Sequence, residues 1–308
     1  MGFLDGHPAG YVINNRTGNE TRWKSKGYSL SDEERAELQA YAAQKLEARE
    51  KEQKQAHEEA ALRVSNQLAK LVLMTSPTPY LQTKQIGCNS EIFTDSEGKT
   101  TYIPVIDVTG KVWSMQYISE DGTKRFAKNS RKEGCFHALG GGLNAIAEAP
   151  VIVIAEGYAT AASISQELEF STIAAFDAGN LEPVARALQK LFPDKPIVIA
   201  GDDDKHQEIT KDIHTGKINN RGKTNALKAA NAVNGIAIFP IFAPGEQSAN
   251  SKTFSDFNDL ACKSVLGREG VKRQVKSIVE NIIKKNDAIM IERKQTRSAM
   301  HLHGVMAI

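Results

Sequence analysis

Between residues 151 and 241 four short apolar runs alternate with stretches of helical character, and no other feature of the sequence restricts the fold as much. A continuous apolar run of this length is typical of a strand that is buried on both faces. Strands of this kind joined by helices form a parallel sheet with right-handed crossovers. The sequence therefore predicts a parallel-sheet α/β domain, whose strands lie within residues 151–155, 171–175, 196–200 and 235–241.

Two of these runs end on carboxylates. Glu156 follows the first run directly, and the third passes through Gly201 into three consecutive aspartates, Asp202 to Asp204. The carboxyl ends of the strands are the usual position of a site in an open α/β sheet. Adjacent carboxylates in a region of low dielectric repel one another strongly, and a divalent cation cancels that repulsion. Because alternate residues of an extended chain point the same way, we expect Asp202 and Asp204 to share a cation while Asp203 faces elsewhere.

The ligand chemistry of this set favours Mg²⁺ or Mn²⁺, because both ions prefer hard oxygen ligands. Zinc is not indicated, since the three cysteines, Cys88, Cys135 and Cys262, form no CxxC pair and have no histidine at a zinc-ligand interval. The same wide spacing argues against a disulfide framework. One alternative stays open at this point, in which the aspartates form only a polar turn at the N-terminus of a helix.

The first part of the chain has a different character. Residues 1–30 have the pattern of a small β hairpin. Ser31 and Glu34 form a capping box, which predicts the start of a helix. No proline or glycine follows until Pro77, so a helix of up to about forty residues and 60 Å is allowed. Residues 47–59 are almost wholly polar, which is typical of a solvated spacer.

Two alternating segments, 102–106 and 112–118, follow with a turn between them and predict an antiparallel β region. We expect a loop after them that carries a basic cluster over residues 124–132. Such a cluster is either a solvated face or a phosphate-binding surface. Near the C-terminus, apolar residues at helical spacing predict an amphipathic basic helix over residues 270–285.

The net charge of the 308 residues is +2, which excludes the strongly basic composition that marks many nucleic-acid-binding proteins. The charge is unevenly distributed, since residues 31–59 carry −4 and residues 260–308 carry +6. A cation bound by the carboxylates would make their surroundings more positive than the formal count. The near-neutral total is therefore compatible with a focused, metal-dependent site.

A hydrophobic strand followed by Glu156-Gly157, with a second strand and Asp202-x-Asp204 46 residues after the glutamate, resembles the Toprim domain of bacterial primases, topoisomerases and certain nucleases. Further motifs resemble those of plasmid and phage primases, especially the TraC-type primases of conjugative plasmids. These motifs are Glu156–Ala161, Asp177–Leu181, Ser255–Leu260 and Tyr80-Leu81-x-x-Lys84. The resemblance covers most of the chain from about Pro79 to Leu260.

The resemblance implies a role for each matching carboxylate. Glu156 would be the general acid/base and could touch metal, while Asp202 and Asp204 would hold the cation. Asp256, with Asn258 or Asp259, would be a further acidic motif and metal ligand. Basic residues would hold the template and the incoming nucleotide, and the candidates are Lys124, Arg125, Lys128, Lys205, Arg221 and Lys223.

The sequence departs from the primase pattern at one position. Thr160 stands where those primases tend to have an aspartate, four residues after the glutamate. The full multi-metal arrangement of those enzymes is therefore not implied here. Gly222-Lys223-Thr224 resembles the end of a Walker loop, but Lys217 stands where that motif needs a glycine, so an ATPase is not indicated.

The resemblance implies a fold that is α/β, or α+β overall. We expect a small β hairpin at 1–30, a long charged helix or linker at 31–75, the β-rich N-terminal part of a primase catalytic core at 76–148, a Toprim domain at 149–262 and a basic helical segment at 263–308. The implied activity is that of a DNA primase, a nucleotidyltransferase that uses Mg²⁺ or Mn²⁺ and nucleoside triphosphates to make primers on single-stranded DNA.

The expected setting is replication of a conjugative plasmid or mobile element, with a separate helicase or other replication or conjugation proteins as partners. The alternatives are a Toprim nuclease with the same carboxylates and a non-catalytic DNA-binding replication accessory. The β region at 100–140 favours a primase, since small Toprim nucleases lack it. The sequence has no apolar run of eighteen residues and no signal-peptide pattern, so we expect a cytoplasmic protein without a membrane segment.

Overall fold

The computed structural model describes residues 2–4, 7–13, 20–25, 30–88, 91–168, 170–208 and 220–285. The chain divides into two compact units, Met1–Ala56 and His57–Ile308. Within the described ranges, no helix combines the length and the apolar character that crossing a membrane requires.

The N-terminal unit contains a three-stranded antiparallel sheet in the order β1-β2-β3. Its strands are β1 (Gly2–Leu4), β2 (His7–Ile13) and β3 (Glu20–Lys24). The pairing of β2 with β3 confirms the predicted hairpin, and β1 adds a third strand that the sequence pattern did not reveal. The connection between β2 and β3, residues 14–19, lies outside the described residues.

Helix α1 (Asp32–Leu68) begins at the predicted capping box. The Ser31 N–H donates to Glu34 Oε2 at 2.9 Å, and the Glu34 N–H donates to Ser31 Oγ at 3.1 Å. Residues 36–55 are exposed, in agreement with the predicted solvated spacer. Near its C-terminal end α1 buries Ala60, Ala61 and Val64, and Ala61 packs in the larger unit with Val105 and Trp113.

The larger unit contains a five-stranded antiparallel sheet in the order β4-β5-β6-β7-β8. Its strands are β4 (Val72–Leu73), β5 (Phe93–Thr94), β6 (Thr101–Ile106), β7 (Val112–Ile118) and β8 (Lys124–Phe126), and helix α2 (Pro79–Thr83) lies between β4 and β5. The predicted pairing of 102–106 with 112–118 is confirmed. The predicted loop at Lys124 and Arg125 is wrong, since both residues pair with β7. Basic side chains are common on an edge strand of this kind, because they discourage further strand pairing.

The second sheet of this unit has the order β13-β12-β10-β11-β9. Its strands are β9 (His137–Leu139), β10 (Ile152–Ala155), β11 (Thr172–Ala174), β12 (Ile197–Ala200) and β13 (Ile236–Ile238). The four strands from β10 to β13 are parallel to their neighbours, as predicted, and β9 is antiparallel to β11.

Helices flank this sheet and follow its strands along the chain. They are α3 (Gly142–Glu148), α4 (Tyr158–Leu168), α5 (Leu181–Leu191), α6 (Arg221–Ala232), α7 (Glu246–Ala249), α8 (Phe257–Lys263) and α9 (residues 267–285). The expected C-terminal basic segment continues to residue 308, and its part after residue 285 lies outside the described residues.

Both faces of β10 are buried, which explains why its sequence is apolar without alternation. Val153 packs into a core with residues of α4, α8 and α9. Ile154 packs into a second core with residues of α5 and α6. The carboxyl end of β10 is therefore held rigidly between two packed layers of side chains.

Candidate active site

The register of the parallel sheet brings the carboxylate-bearing segments together. Ala155 at the end of β10 is paired with Ala200 at the end of β12, so both strands end at the same level. Glu156 follows the first of these residues, and Gly201 leads from the second into the aspartates. A Cβ on Gly201 would lie 2.4 Å from the Cβ of Ala226, so only glycine fits there.

Glu156 is the first carboxylate of the set. Its Oε2 is buried and has no hydrogen-bond partner. Burial raises the pKa of Glu156 to about 7, and the negative charges of Asp204 and Asp177 contribute to the increase. The backbone N–H of Ala178 and the charge of Arg221 act in the opposite direction. Glu156 is thus a partly desolvated carboxylate within reach of other charges.

Asp202 has the same properties. Its Oδ1 is buried without a hydrogen-bond partner. Burial raises the pKa of Asp202 well above its usual range, and the charges of Asp256, Glu156 and Asp204 raise it further. We call Glu156, Asp202, Asp204 and Asp256 the acidic set, because Asp202 interacts electrostatically with the other three.

Asp256 stands at the start of α8. Its Oδ1 accepts a hydrogen bond of 2.7 Å from the N–H of Asp259 and so caps this helix. Burial raises the pKa of Asp256, with a further contribution from Asp259, while Lys84 and Lys124 lower it. A carboxylate from a third chain segment thereby joins those that follow β10 and β12.

Asp203 is held apart from the acidic set. Its carboxylate accepts hydrogen bonds from Asn220 Nδ2 at 2.8 Å and Gln247 Nε2 at 3.2 Å. Asp204 is anchored by its backbone N–H, which donates to Asn220 Oδ1 at 3.1 Å, and by its Oδ2, which accepts from the Gly222 N–H at 3.1 Å. The direction of the aspartate segment is therefore fixed by polar contacts with the start of α6 and with α7.

The donor chemistry of the acidic set fits a divalent cation. Glu156 Oε2 and Asp202 Oδ1 are buried carboxylate oxygens without hydrogen-bond partners, and they lie among carboxylates that repel one another. A hard cation would bind these oxygens and reduce the repulsion. In the part of the chain that the structure describes, no three His, Cys, Asp or Glu side chains are arranged to hold an ion. Mg²⁺ characteristically takes only one or two carboxylates and completes its shell with water and substrate phosphates.

Among the predicted basic residues, Lys124 and Arg221 interact with the acidic set. Desolvation lowers the pKa of Lys124, Lys84 lowers it further, and the nearby acidic residues raise it. The Lys124 side chain is nevertheless exposed. The charge of Arg221 at the start of α6 lowers the pKa of Glu156. One cation from strand β8 and one from helix α6 therefore lie within electrostatic range of the carboxylates.

The other predicted basic residues have different surroundings. Lys205 Nζ donates to Gln247 Oε1 at 2.6 Å and lies 3.8 Å from Asp203. Lys223 Nζ lies 5.4 Å from the centre of the Phe239 ring. Arg125 is paired with Tyr117 in the sheet, and its charge lowers the pKa of Asp121. The carbonyl of Lys128 accepts a hydrogen bond from the Arg63 guanidinium. Their predicted role in binding nucleic acid or nucleotide stays a prediction.

The sequence analysis assigned no chemical role to Lys84 and Tyr80. Both belong to the motif Tyr80-Leu81-x-x-Lys84, which was noted only for its resemblance to primases. Lys84 follows α2, and its charge acts on both Asp256 and Lys124. The hydroxyl of Tyr80 is buried without a hydrogen-bond partner, and its pKa is raised by burial and by Asp256. The motif Tyr80-Leu81-x-x-Lys84 was the available signal. Because this motif is far from the carboxylates in the sequence, the sequence alone did not show that it lies close to them in the fold.

Asn258 and Asp259, the other two candidates for the third acidic motif, contact neighbouring residues, and their predicted role beside Asp256 stays a prediction. Asn258 Nδ2 donates to the carbonyl of Lys84 at 2.9 Å and to Ser163 Oγ at 3.0 Å. Asp259 forms an ion pair of 2.6 Å with Lys263. Thr160, the position at which the sequence departs from the expected primase pattern, is buried in the first turn of α4.

Residues 151–265 match the family model of the Toprim domain. That range contains strands β10 to β13 and the whole acidic set, so this chain carries a Toprim domain. Two proteins from Escherichia coli, both named DNA primase TraC, are each 47% identical to the chain, over 337 and 336 residues. This Toprim-domain protein therefore resembles the TraC-type primases, as the motifs predicted.

The alignments with the two TraC primases cover 92% of this chain but only 31% and 23% of the relatives. The chain thus spans less than a third of the length of the curated relatives it matches.

Among solved structures, the primase fragment of the bacteriophage T7 primase-helicase protein is similar with a TM-score of 0.40 and 12% identity. That similarity covers 66% of this chain and 74% of the other and is too distant to indicate a shared activity.

Proposed function

We propose that this chain acts as a DNA primase, which joins nucleotides into short primers on a single-stranded DNA template. The observation that carries the proposal is the pair of buried, unpartnered oxygens on Glu156 and Asp202, which follow adjacent strands of the Toprim sheet. The 47% identity to the TraC primases supports this choice among the activities of Toprim proteins.

In this proposal Asp202 and Asp204 hold a divalent cation, Mg²⁺ or Mn²⁺, with Glu156 and Asp256 beside them. When bound, such an ion neutralises triphosphate charge and lowers the pKa of the attacking 3′-hydroxyl. Glu156 Oε2, which has no hydrogen-bond partner, accepts the proton of that hydroxyl while the hydroxyl oxygen bonds to the α-phosphorus of the incoming nucleotide and pyrophosphate leaves. In this proposal Asp202 and Asp204 thus position the cation, and Glu156 accepts the proton.

Lys124 and Arg221, together with Lys84, neutralise the phosphates of the incoming nucleotide. Support comes from their electrostatic interactions with members of the acidic set. Basic side chains farther out would hold the template strand and the nucleotide, and these are Arg125, Lys128, Lys205 and Lys223. We also propose that the enzyme works in the cytoplasm on a conjugative plasmid or mobile element, with a separate helicase as partner.

A nuclease would use the same carboxylates, so the acidic set alone does not separate the two activities. The antiparallel sheet β4–β8 favours the primase, because its edge strand contributes Lys124 to the surroundings of the carboxylates. A nuclease that lacked such a region would have no cation at this position.

The test is incubation of the chain with single-stranded DNA, four ribonucleoside triphosphates and Mg²⁺ or Mn²⁺, followed by sizing of new and degraded strands. We expect new short strands, and we expect Glu156→Gln to reduce their yield about 100-fold or more. Circular dichroism establishes that this variant is folded. Shortened template without new strands would indicate the nuclease instead. Neither product, together with no heat of Mn²⁺ binding, would indicate a non-catalytic accessory.

A further inference from the structure

The small N-terminal sheet carries large side chains that are exposed. Tyr11 and Val12 in β2 are 65% and 68% exposed, and Trp23 in β3 is 44% exposed. Aromatic side chains contribute large contact areas when buried, so an exposed ring on a short sheet is a candidate contact for a binding partner.

The strand register assigns these side chains to two faces. Tyr11 is paired with Arg22, and Ala9 is paired with Lys24. Because side chains alternate along a strand, Tyr11, Arg22 and Lys24 share one face, which we call the Tyr11 face. Trp23 lies on the opposite face, where a Cβ on Gly10 would be 2.8 Å from its Nε1. Val12 shares that opposite face, so each face can be altered separately.

We propose that the Tyr11 face binds single-stranded nucleic acid, with a base stacked on the Tyr11 ring and phosphates held by Arg22 and Lys24. Aromatic rings bordered by cations are the combination by which proteins bind single strands without reading their sequence. An exposed ring serves this purpose because every base has a face to stack on it.

The distribution of charge favours a polyanion as the occupant. Residues 1–30 carry four basic and two acidic residues, whereas residues 31–59, most of which belong to α1, carry five and nine. Strand β3 carries two basic residues, Arg22 and Lys24, and one acidic residue, Glu20, so this strand has a net positive charge whereas residues 31–59 have a net negative charge. The inference rests on the proposed primase function in one respect, since only a primase would use the bound strand as its template.

The experiment measures binding of a fluorescently labelled oligothymidylate by anisotropy, in EDTA and without nucleotides, with the full chain carrying Glu156→Gln. We expect Tyr11→Leu, which keeps apolar bulk but removes the aromatic ring, to weaken binding roughly 5-fold to 100-fold. Tyr11→Phe keeps the ring and should retain the affinity. We expect Arg22→Ala to reduce the slope of log affinity against log salt by about 0.7, the value for one phosphate contact on a single strand.

Two matched controls test whether the effect belongs to this face. Val12→Ser alters the opposite face of the same strand and should leave the affinity unchanged. Tyr41→Ala removes a 56% exposed tyrosine of α1 whose ring has Lys45 Nζ 4.8 Å from its centre, and it should also have no effect. Thermal unfolding of each variant shows whether the fold is retained.

Equal affinities of Tyr11→Leu, Tyr11→Phe and the unaltered chain would overturn the proposal and leave the face to a protein partner. A loss caused equally by Val12→Ser would also overturn it. Because the measurement contains neither cation nor nucleotide, its outcome is independent of primer synthesis. A chain that binds through Tyr11 but makes no primers would refute the proposed function and keep this inference.

Discussion

The side-chain amide of Asn220 donates to the carboxylate of Asp203 at 2.8 Å, and its oxygen accepts from the backbone N–H of Asp204 at 3.1 Å. The same oxygen accepts from the N–H of Lys223 and so caps helix α6. One side chain thus ties the aspartate segment after β12 to the first turn of the next helix. The two carboxylates that flank Asp203 owe part of their placement to this contact.

We therefore predict that Asn220→Ala weakens Mn²⁺ binding roughly 10-fold to 100-fold, which is typical for loss of a group that orients metal ligands. Asn220→Ser keeps a helix-capping oxygen but removes the hydrogen bond that the side-chain amide donates to Asp203. We expect Asn220→Ser to restore most of the thermal stability without restoring the affinity. Calorimetric titration with Mn²⁺ measures the binding, and Asn231→Ala, at an exposed position of the same helix, is the control. Unchanged binding in Asn220→Ala would show that Asp202 and Asp204 are positioned without this contact.

A second prediction concerns the repulsion within the acidic set. Asp202→Asn removes a buried charge that Asp256, Glu156 and Asp204 all oppose. In EDTA this change should raise the free energy of unfolding by about 1 kcal/mol, as commonly happens when a strained functional group is neutralised. The variant should also lose most of the increase in Tm that Mn²⁺ gives the unaltered chain.

Thermal unfolding with and without Mn²⁺ checks both statements. Asp194→Asn, which removes a carboxylate from the segment between α5 and β12, serves as the matched control. A lower stability of Asp202→Asn in EDTA would contradict the view that these carboxylates repel one another.

The parallel sheet and its carboxylates were predictable because both depend on local patterns. An unbroken apolar run reports burial on both faces, and the residue after it necessarily stands at the end of the strand. The partners of those carboxylates depend on packing between segments that are distant in sequence. Asn258 reaches the carbonyl of Lys84 across 174 residues, and no periodicity within either segment encodes that contact.

The edge strand β8 shows the same limit at shorter range. Its three residues, Lys124 to Phe126, have no alternating apolar pattern, so the sequence favoured a loop. They form a strand because the hairpin partner β7 offers unpaired backbone groups, with Tyr117 opposite Arg125. Tertiary pairing here outweighs local propensity.

A third prediction follows from the glycine between β12 and the aspartates. A Cβ on Gly201 would lie 2.4 Å from Ala226 and 2.7 Å from Phe239. Gly201→Ala should therefore destabilise the fold by about 1–3 kcal/mol, the usual cost of overpacking a core. Gly157 follows β10 in a comparable place, but there a Cβ would come no nearer than 3.9 Å to Thr160.

Denaturant unfolding of the two variants gives the comparison directly. Gly157→Ala should cost much less than Gly201→Ala. In the Gly201→Ala background, Ala226→Gly should recover part of the loss, which would demonstrate that the two sites are coupled. Similar costs at Gly201 and Gly157 would refute the steric explanation.

The last prediction concerns His137 in β9, which is fully buried. Its Nδ1 lies 3.0 Å from the carbonyl oxygen of Pro104, and its Nε2 has no hydrogen-bond partner. Burial lowers the pKa of His137 to about 4, whereas an unfolded histidine titrates near 6.5. Between these values the unfolded chain binds more protons than the folded chain, so this residue reduces stability as the pH falls from about 6.5 towards 4. The loss should reach about 2 kcal/mol at pH 5.

The carboxylates titrate in the opposite sense over part of the same interval. Because the pKa of Glu156 is raised to about 7, its protonation stabilises the folded chain as the pH falls below that value. The contribution of His137 must therefore be read from the difference between the unaltered chain and His137→Gln, measured by denaturant unfolding at pH 7.5 and pH 5. His57, a partly exposed residue of α1, gives the control variant His57→Gln. The difference for His137→Gln should shift by about 2 kcal/mol between the two pH values and should exceed the shift for His57→Gln. An unchanged difference for His137→Gln between the two pH values would mean that His137 is protonated in the folded chain at pH 5.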